Sequence, residues 1–265
     1  VLVAHGIDVW QLSSPAVKRA LCAADKVLSV SRYTRDRLSA ETGIERNRIE
    51  MLPNAVSSKR FAISPKPRRL LEKLRLRADT PVILTVCRLA AAERYKGYDQ
   101  IIRALPKILT AVPNAHYVLV GSGPDRPRVE KLIRDSALQS NITLAGYVPD
   151  QELADYYNLC DIFAMPSKAE GFGIVYLEAL ACGKPVLAGN RDGSRDALND
   201  GELGLLVDAG NTKEIAGEII RVLRREHDHP MIFQPECLRR RVTELFGIER
   251  FEQTVAARVK PFLAN

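Results

Sequence analysis

The chain has 265 residues, 46% of them hydrophobic and 27% charged, with a formal net charge of +7. That balance supports one large or two modest globular domains with a real core and excludes a disordered chain. No apolar run approaches the ~18 residues that cross a bilayer, and no basic-then-apolar stretch reads as a secretory leader. Five widely spaced cysteines, Cys22, Cys87, Cys160, Cys182 and Cys237, form no CxxC pair. They read as reduced, buried thiols, and the expected location is the cytoplasm. The charge is uneven: residues 1–80 hold 16 Lys and Arg against 8 Asp and Glu, while residues 81–265 hold 23 against 24. The positive excess is either a solvated surface or a face that meets an anionic membrane or an acidic acceptor. It lacks the aromatic interleaving and recognition helix of a nucleic-acid binder.

In chain order, short apolar runs bounded by turn residues fall at 1–5 (VLVAH), 26–30 (KVLSV) and 48–52 (RIEML). Six more follow at 81–87, 115–121, 141–146, 161–166, 184–189 and 203–207. Segments of helical period lie between most of them, as at 98–112 and 212–225. Such alternation predicts crossover units and a parallel sheet covered on both faces, an α/β fold. Four parts are expected. Residues 1–60 form a partial N-terminal Rossmann-like domain, and 61–80, charged and proline-bearing, a linker. Residues 81–246 carry enough strands for a complete doubly wound domain, and 247–265 form a final helix. With only three strands before residue 60 and Val1 already inside a strand, the sequence reads as starting partway through its first domain.

Open parallel sheets bind ligands beyond the carboxyl ends of their strands. Candidate chemistry sits there. Arg88 and Lys96 follow the run at 81–87, a small-residue turn SGPD follows that at 115–121, and Asp150, a candidate helix cap, follows that at 141–146. SKAEGFG follows the run at 161–166 and leads into a helical stretch whose one charged residue is Glu178. An ionised carboxylate among so many apolar neighbours is costly unless something hydrogen-bonds it. A ribose diol could do so; so could a core pairing with Lys184 or an arginine. The glycines of EGFG permit close backbone approach, and free amides at the next helix start favour a diphosphate, with Arg88 and Lys96 opposite.

From PVILTVCRL to LGLLVD the chain resembles the retaining nucleotide-sugar glycosyltransferases of family 4, whose architecture, GT-B, pairs two Rossmann-like domains. The carrying motifs are GSGP, EGFGIVYLE with Glu170 and Glu178, and EALACGKPV, in order, with HGIDVW and LPNAV upstream. The resemblance implies that Arg88 and Lys96 hold the donor diphosphate and Glu178 the ribose. It gives the donor sugar to Glu170 and the amides of Gly171, Phe172, Gly173 and Ile174, sets the nucleobase near Gly121 and Val148, and puts His5 over the sugar with Glu170. It also implies that the final helix crosses back to the first domain.

The function implied is transfer of a hexosyl group, with retention, from a nucleoside diphosphate sugar to a glycan or lipid-linked acceptor, in polysaccharide or glycolipid synthesis. No cofactor or metal is expected, since no Asp-x-Asp or His cluster offers a ligand set and two cations can neutralise the leaving group. The alternatives are a non-catalytic nucleotide-sugar-binding fragment, or a GT-B epimerase or phosphorylase. Seven residues separate Arg88 from Lys96, more than is common in the family, so Arg94 competes with Lys96 for the phosphate. Ala55, Ser194 and Asp196 also depart from its usual Gly, Gly and Glu.

Overall fold

The computed structural model describes residues 1–10, 12 and 14–263. Each apolar run forms a strand: β1 Leu2–Ala4, β2 Val27–Ser29, β3 Ile49–Met51, β4 Val82–Val86, β5 His116–Val120, β6 Ile142–Gly146, β7 Ile162–Met165, β8 Val186–Gly189 and β9 Leu205–Val207. Between and after them run α1 Pro15–Ala23, α2 Arg32–Thr42, α3 Arg68–Leu74, α4 Tyr98–Ala111, α5 Arg126–Asp135, α6 Leu153–Leu159, α7 Ile174–Ala181, α8 Ser194–Ala197, α9 Thr212–Leu223, α10 Pro235–Phe246 and α11 Ile248–Leu263.

All pairings between these strands are parallel, and they build two sheets. The smaller runs β1-β2-β3 and the larger β6-β5-β4-β7-β8-β9. The larger order is the doubly wound 3-2-1-4-5-6 pattern, in which the chain reverses its direction of travel between the first and fourth strands. Here that switch point lies between β4 and β7, so the loops leaving these two strands diverge around a crevice. Helices cover both faces, which is why Val82, Ile83, Leu84, Ile162, Phe163 and Ala164 are wholly buried and the strands read as continuous apolar runs.

The smaller unit has its own core of Ala4, Val9, Trp10, Leu21, Val27, Leu38, Ile44 and Ile49, against which Ala169 of the larger unit packs. Residues 61–80 do more than connect. They contain α3, and Phe61, Leu70 and Leu71 are buried in the large core. The apolar pair inside a charged stretch gives this short helix one inward face. Arg239 of α10 donates to the carbonyls of Ser58, Phe61 and Ala181, tying the stretch to the end of α7. Beyond α10 the chain meets the smaller unit: Val56 N donates to Phe246 O at 2.8 Å, and Arg258 of α11 pairs with Glu50 of β3.

Three cysteines are buried, but Cys22 is exposed and Cys237 only partly covered, against the expectation that all are buried. Leu21 takes the single inward position of α1, which turns its neighbour Cys22 to solvent. No helix among the described residues is long and apolar enough to cross a membrane.

Candidate functional site

The switch point assembles the site. Past the end of β4 the backbone stays paired with the strand beside it: Cys87 N donates to Val120 O at 3.0 Å and Leu89 N to Ser122 O at 2.9 Å. Arg88 is therefore carried out of the sheet on a supported arm, with its side chain 77% exposed. Gly121 closes this arm at φ 129°, where an added Cβ would lie 1.8 Å from Cys87 O, so a side chain would push the arm away.

A 3-10 turn, Ala91–Lys96, then brings the chain back across the crevice. Lys96 Nζ donates to Glu170 Oε2 at 3.0 Å, and these two side chains are only 16% and 15% exposed. Burial alone would lower the pKa of Lys96, but the charge and hydrogen bond of Glu170 outweigh it and raise the value, so the ammonium is held charged. Arg94 does not join Lys96. It grips Asp125 through Nη2 at 2.7 Å and Nε at 3.2 Å, and Asp125 also accepts from Arg128 and Tyr98. Glu93, inside the lengthened spacing, is 5% exposed and pairs with Arg88 through Oε1.

The turn that carries Glu170 is pinned from below and from the side. Asp192 Oδ2 accepts from Glu170 N at 2.7 Å and from Ser167 Oγ at 2.6 Å, while its Oδ1 accepts from Ser194 N at 3.0 Å. Burial pushes the pKa of Asp192 up against these bonds. From the smaller unit, Ser31 and Thr34 at the start of α2 both donate to Gly171 O. Gly171 also faces the backbone of His5 and Gly6, and an added Cβ would meet His5 O at 2.4 Å. Two glycine backbones in contact let the two units close on this turn. The residues that depart from the family pattern take part: Ser194 Oγ lies 3.0 Å from Ser167 Oγ, and Asp196 accepts from Arg32 Nε at 2.6 Å.

No hydrogen bond among the described residues uses the amides of Gly171, Phe172 or Gly173. The Phe172 ring is buried edge-on to Phe246 at 5.7 Å, so this residue offers the crevice only its backbone. Ile174 begins α7 and is exposed. Glu178, one turn along α7, pairs with neither Lys184 nor an arginine: Tyr157 Oη donates to its Oε2 at 2.6 Å, and Lys184 donates to Asn158 O. Burial raises the pKa of Glu178, with the Tyr157 bond and the charge of Arg60 pulling it back.

The structure thus brings Arg88, Lys96, Glu170, Gly171 and the backbone of His5 together. The Gly121 backbone adjoins Arg88, whereas Val148 has its side chain buried in the large core. Asp150 does not cap the following helix with its side chain; its carboxylate lies 3.3 Å from Arg60 instead. Tyr157, Arg60, Asp192 and Glu93 are the participants that reading the sequence missed. The signal for Glu93 was the unusual spacing itself; the other three sit in stretches whose pattern is that of ordinary helix, linker or turn.

Residues 68–235 match the family model for glycosyl transferases group 1, and residues 1–60 that for glycosyltransferase family 4. The chain belongs to the glycosyl transferases group 1 family. It is 35% identical over 236 residues to the GDP-mannose-dependent alpha-(1-6)-phosphatidylinositol monomannoside mannosyltransferase of Mycolicibacterium smegmatis, covering 83% of this chain and 60% of that protein. Sucrose-phosphate synthase from Thermosynechococcus elongatus superposes with a TM-score of 0.82 at 26% identity, over 99% of this chain and 68% of that one. HepE from Anabaena, solved with UDP and glucose, gives 0.81 at 23% identity, over 97% of this chain and 71% of that one. The fold is of the GT-B type. The chain spans 60% of the length of the mycolicibacterial relative.

Proposed function

We propose that this chain carries the donor site of a retaining hexosyltransferase that uses a nucleoside diphosphate sugar. The observation that carries the reading is the Lys96–Glu170 contact of 3.0 Å at the switch point, beside Arg88 and the unused amides of the 171–173 turn. A departing diphosphate develops negative charge, and fixed cations and amides that need no reorganisation stabilise it. Arg88 and Lys96 take its oxygens, Glu170 turns to the sugar, and Glu178, already half-desolvated, accepts the ribose hydroxyls. His5 rides on the backbone that abuts Gly171 and overlies the sugar from the acceptor side. No metal is needed where two cations serve the same charge.

The 35% identical relative supports GDP-mannose as the donor and a phosphatidylinositol-type glycolipid as the acceptor. The basic residues before position 80 support docking of the smaller unit on an anionic membrane. So does α1, which buries only Leu21 and leaves Val17 45% exposed. Thermal shift with GDP, UDP, ADP and their sugars tests the donor reading, because a ligand that binds only the native state raises the melting temperature. GDP and GDP-mannose should give the largest shifts. A larger shift with UDP compounds would reassign the donor, and no shift with any nucleotide would remove the site.

A further inference from the structure

Glu93 has no part in the scheme above, yet it contacts both of its cations. The carboxylate is 5% exposed. Its Oε1 pairs with Arg88, and its Oε2, which has no hydrogen-bond partner, lies 3.7 Å from Lys96 Nζ. It cannot readily swing out to water. Its own amide is tied to Ala90 O at 2.8 Å, and the next residue, Arg94, is clamped on Asp125. Arg88, Glu93, Lys96 and Glu170 therefore form a row of alternating charge, so that the two cations are already matched by two carboxylates within the protein.

We propose that Glu93 is a built-in counter-anion of the donor cations, one that weakens the grip of the site on the free nucleoside diphosphate more than on its sugar ester and so favours product release. This rests on the donor-site reading above. A diphosphate that takes Arg88 and Lys96 approaches a buried like charge, and at the buried Lys96 end that repulsion is screened less than at the open Arg88 end. The penalty grows with the charge of the ligand. In the sugar ester the terminal phosphate is esterified; in the released diphosphate it regains an ionisation near pH ~6 and carries about one more negative charge. A fixed carboxylate thus distinguishes product from substrate without touching base or sugar. Were Glu93 instead there only to hold Arg88 in place, removing its charge would loosen Arg88 and weaken both ligands.

Calorimetric titration of the wild-type chain, Glu93→Gln and Glu93→Ala with GDP, UDP, GDP-mannose and UDP-glucose separates these outcomes. For whichever base the wild type prefers, both variants should bind the free diphosphate about tenfold tighter and the sugar ester only about threefold tighter. Unchanged or weaker binding of the diphosphate, or an equal gain for both forms, overturns the role of Glu93 and leaves the donor site standing. A wild-type chain that binds none of the four overturns the donor site and this proposal with it. Melting curves accompany each titration. Failure of both variants to fold would make the charge a structural requirement and would also overturn the proposal.

Discussion

Replacing Glu178 by Gln should separate two effects of one buried carboxylate. Burial raises its pKa above the ordinary 4.5. In a window above that value the folded protein still holds the proton that the unfolded chain has lost, so stability falls as pH rises through the window and remains lower beyond it. Glu178→Gln removes the titration: its melting temperature at about pH 7 should exceed that of the wild type, and its stability should vary less with pH. In the proposed donor site the same change would deprive the ribose of a charged acceptor, and nucleotide binding should weaken by about 1.5–3 kcal/mol. Melting curves at several pH values, with and without nucleotide, read both effects; a variant that is neither more stable empty nor weaker in binding would contradict this account. Glu170→Gln should instead weaken the sugar-bearing donor relative to the free nucleoside diphosphate, which the same titrations distinguish.

The arm and turn that follow β4 depend on Asp125, which accepts from Arg94, Arg128 and Tyr98 in one buried cluster. The hydrogen bonds of Arg128 and Arg94 hold its pKa below the ordinary 3.8. For a carboxylate with a lowered folded pKa, the stabilisation is present above 3.8 and is lost as pH falls toward the lowered value. Asp125→Asn should remove that acid-side dependence and cost about 2 kcal/mol near neutral pH, the scale of hydrogen bonds to a charged group. It should also weaken diphosphate binding, because the turn that presents Lys96 loses its clamp. Urea unfolding at two pH values checks the first statement and titration with diphosphate the second. A variant with wild-type stability would show that Arg94 and Arg128 find equal partners in solvent.

Between the two units, contacts gather at the Gly171 turn and at the segment that follows β8. Ser31 and Thr34 reach Gly171 O, and Arg32 reaches both Asp196 and Asp200. Ser31→Ala with Thr34→Val should therefore let the units separate and weaken donor binding although neither residue need touch the donor. X-ray scattering should report a larger radius of gyration, and an unchanged radius would mean that Arg32 and the final helix suffice to hold the units together. Charge acts at the same scale. Exposed basic groups are screened over about 8 Å at physiological salt. Sedimentation with anionic vesicles should accordingly be strong at low salt and fall steeply as salt rises. Equal sedimentation with neutral vesicles would return the basic excess to ordinary surface.

The nine strands among the described residues were legible from local pattern, because the inner strands of a parallel sheet, such as β7 and β8, are buried and so apolar along their length, and each run ends where turn residues begin. The loops that follow the strands were legible for the same reason, and with them Arg88, Lys96, Glu170 and Glu178. Strand order, and so the position of the switch point between β4 and β7, came only with the tertiary structure, since every crossover looks alike in sequence. So did the partner of each charge. Arg94 and Lys96 are equivalent cations two residues apart, and only the path of the 3-10 turn sends one to Asp125 and the other to Glu170. Glu178 finds a tyrosine rather than a cation, and Glu93 is drawn inward between Arg88 and Lys96. Periodicity is a property of neighbours along the chain, whereas the pairing of buried charges is decided by distances across it.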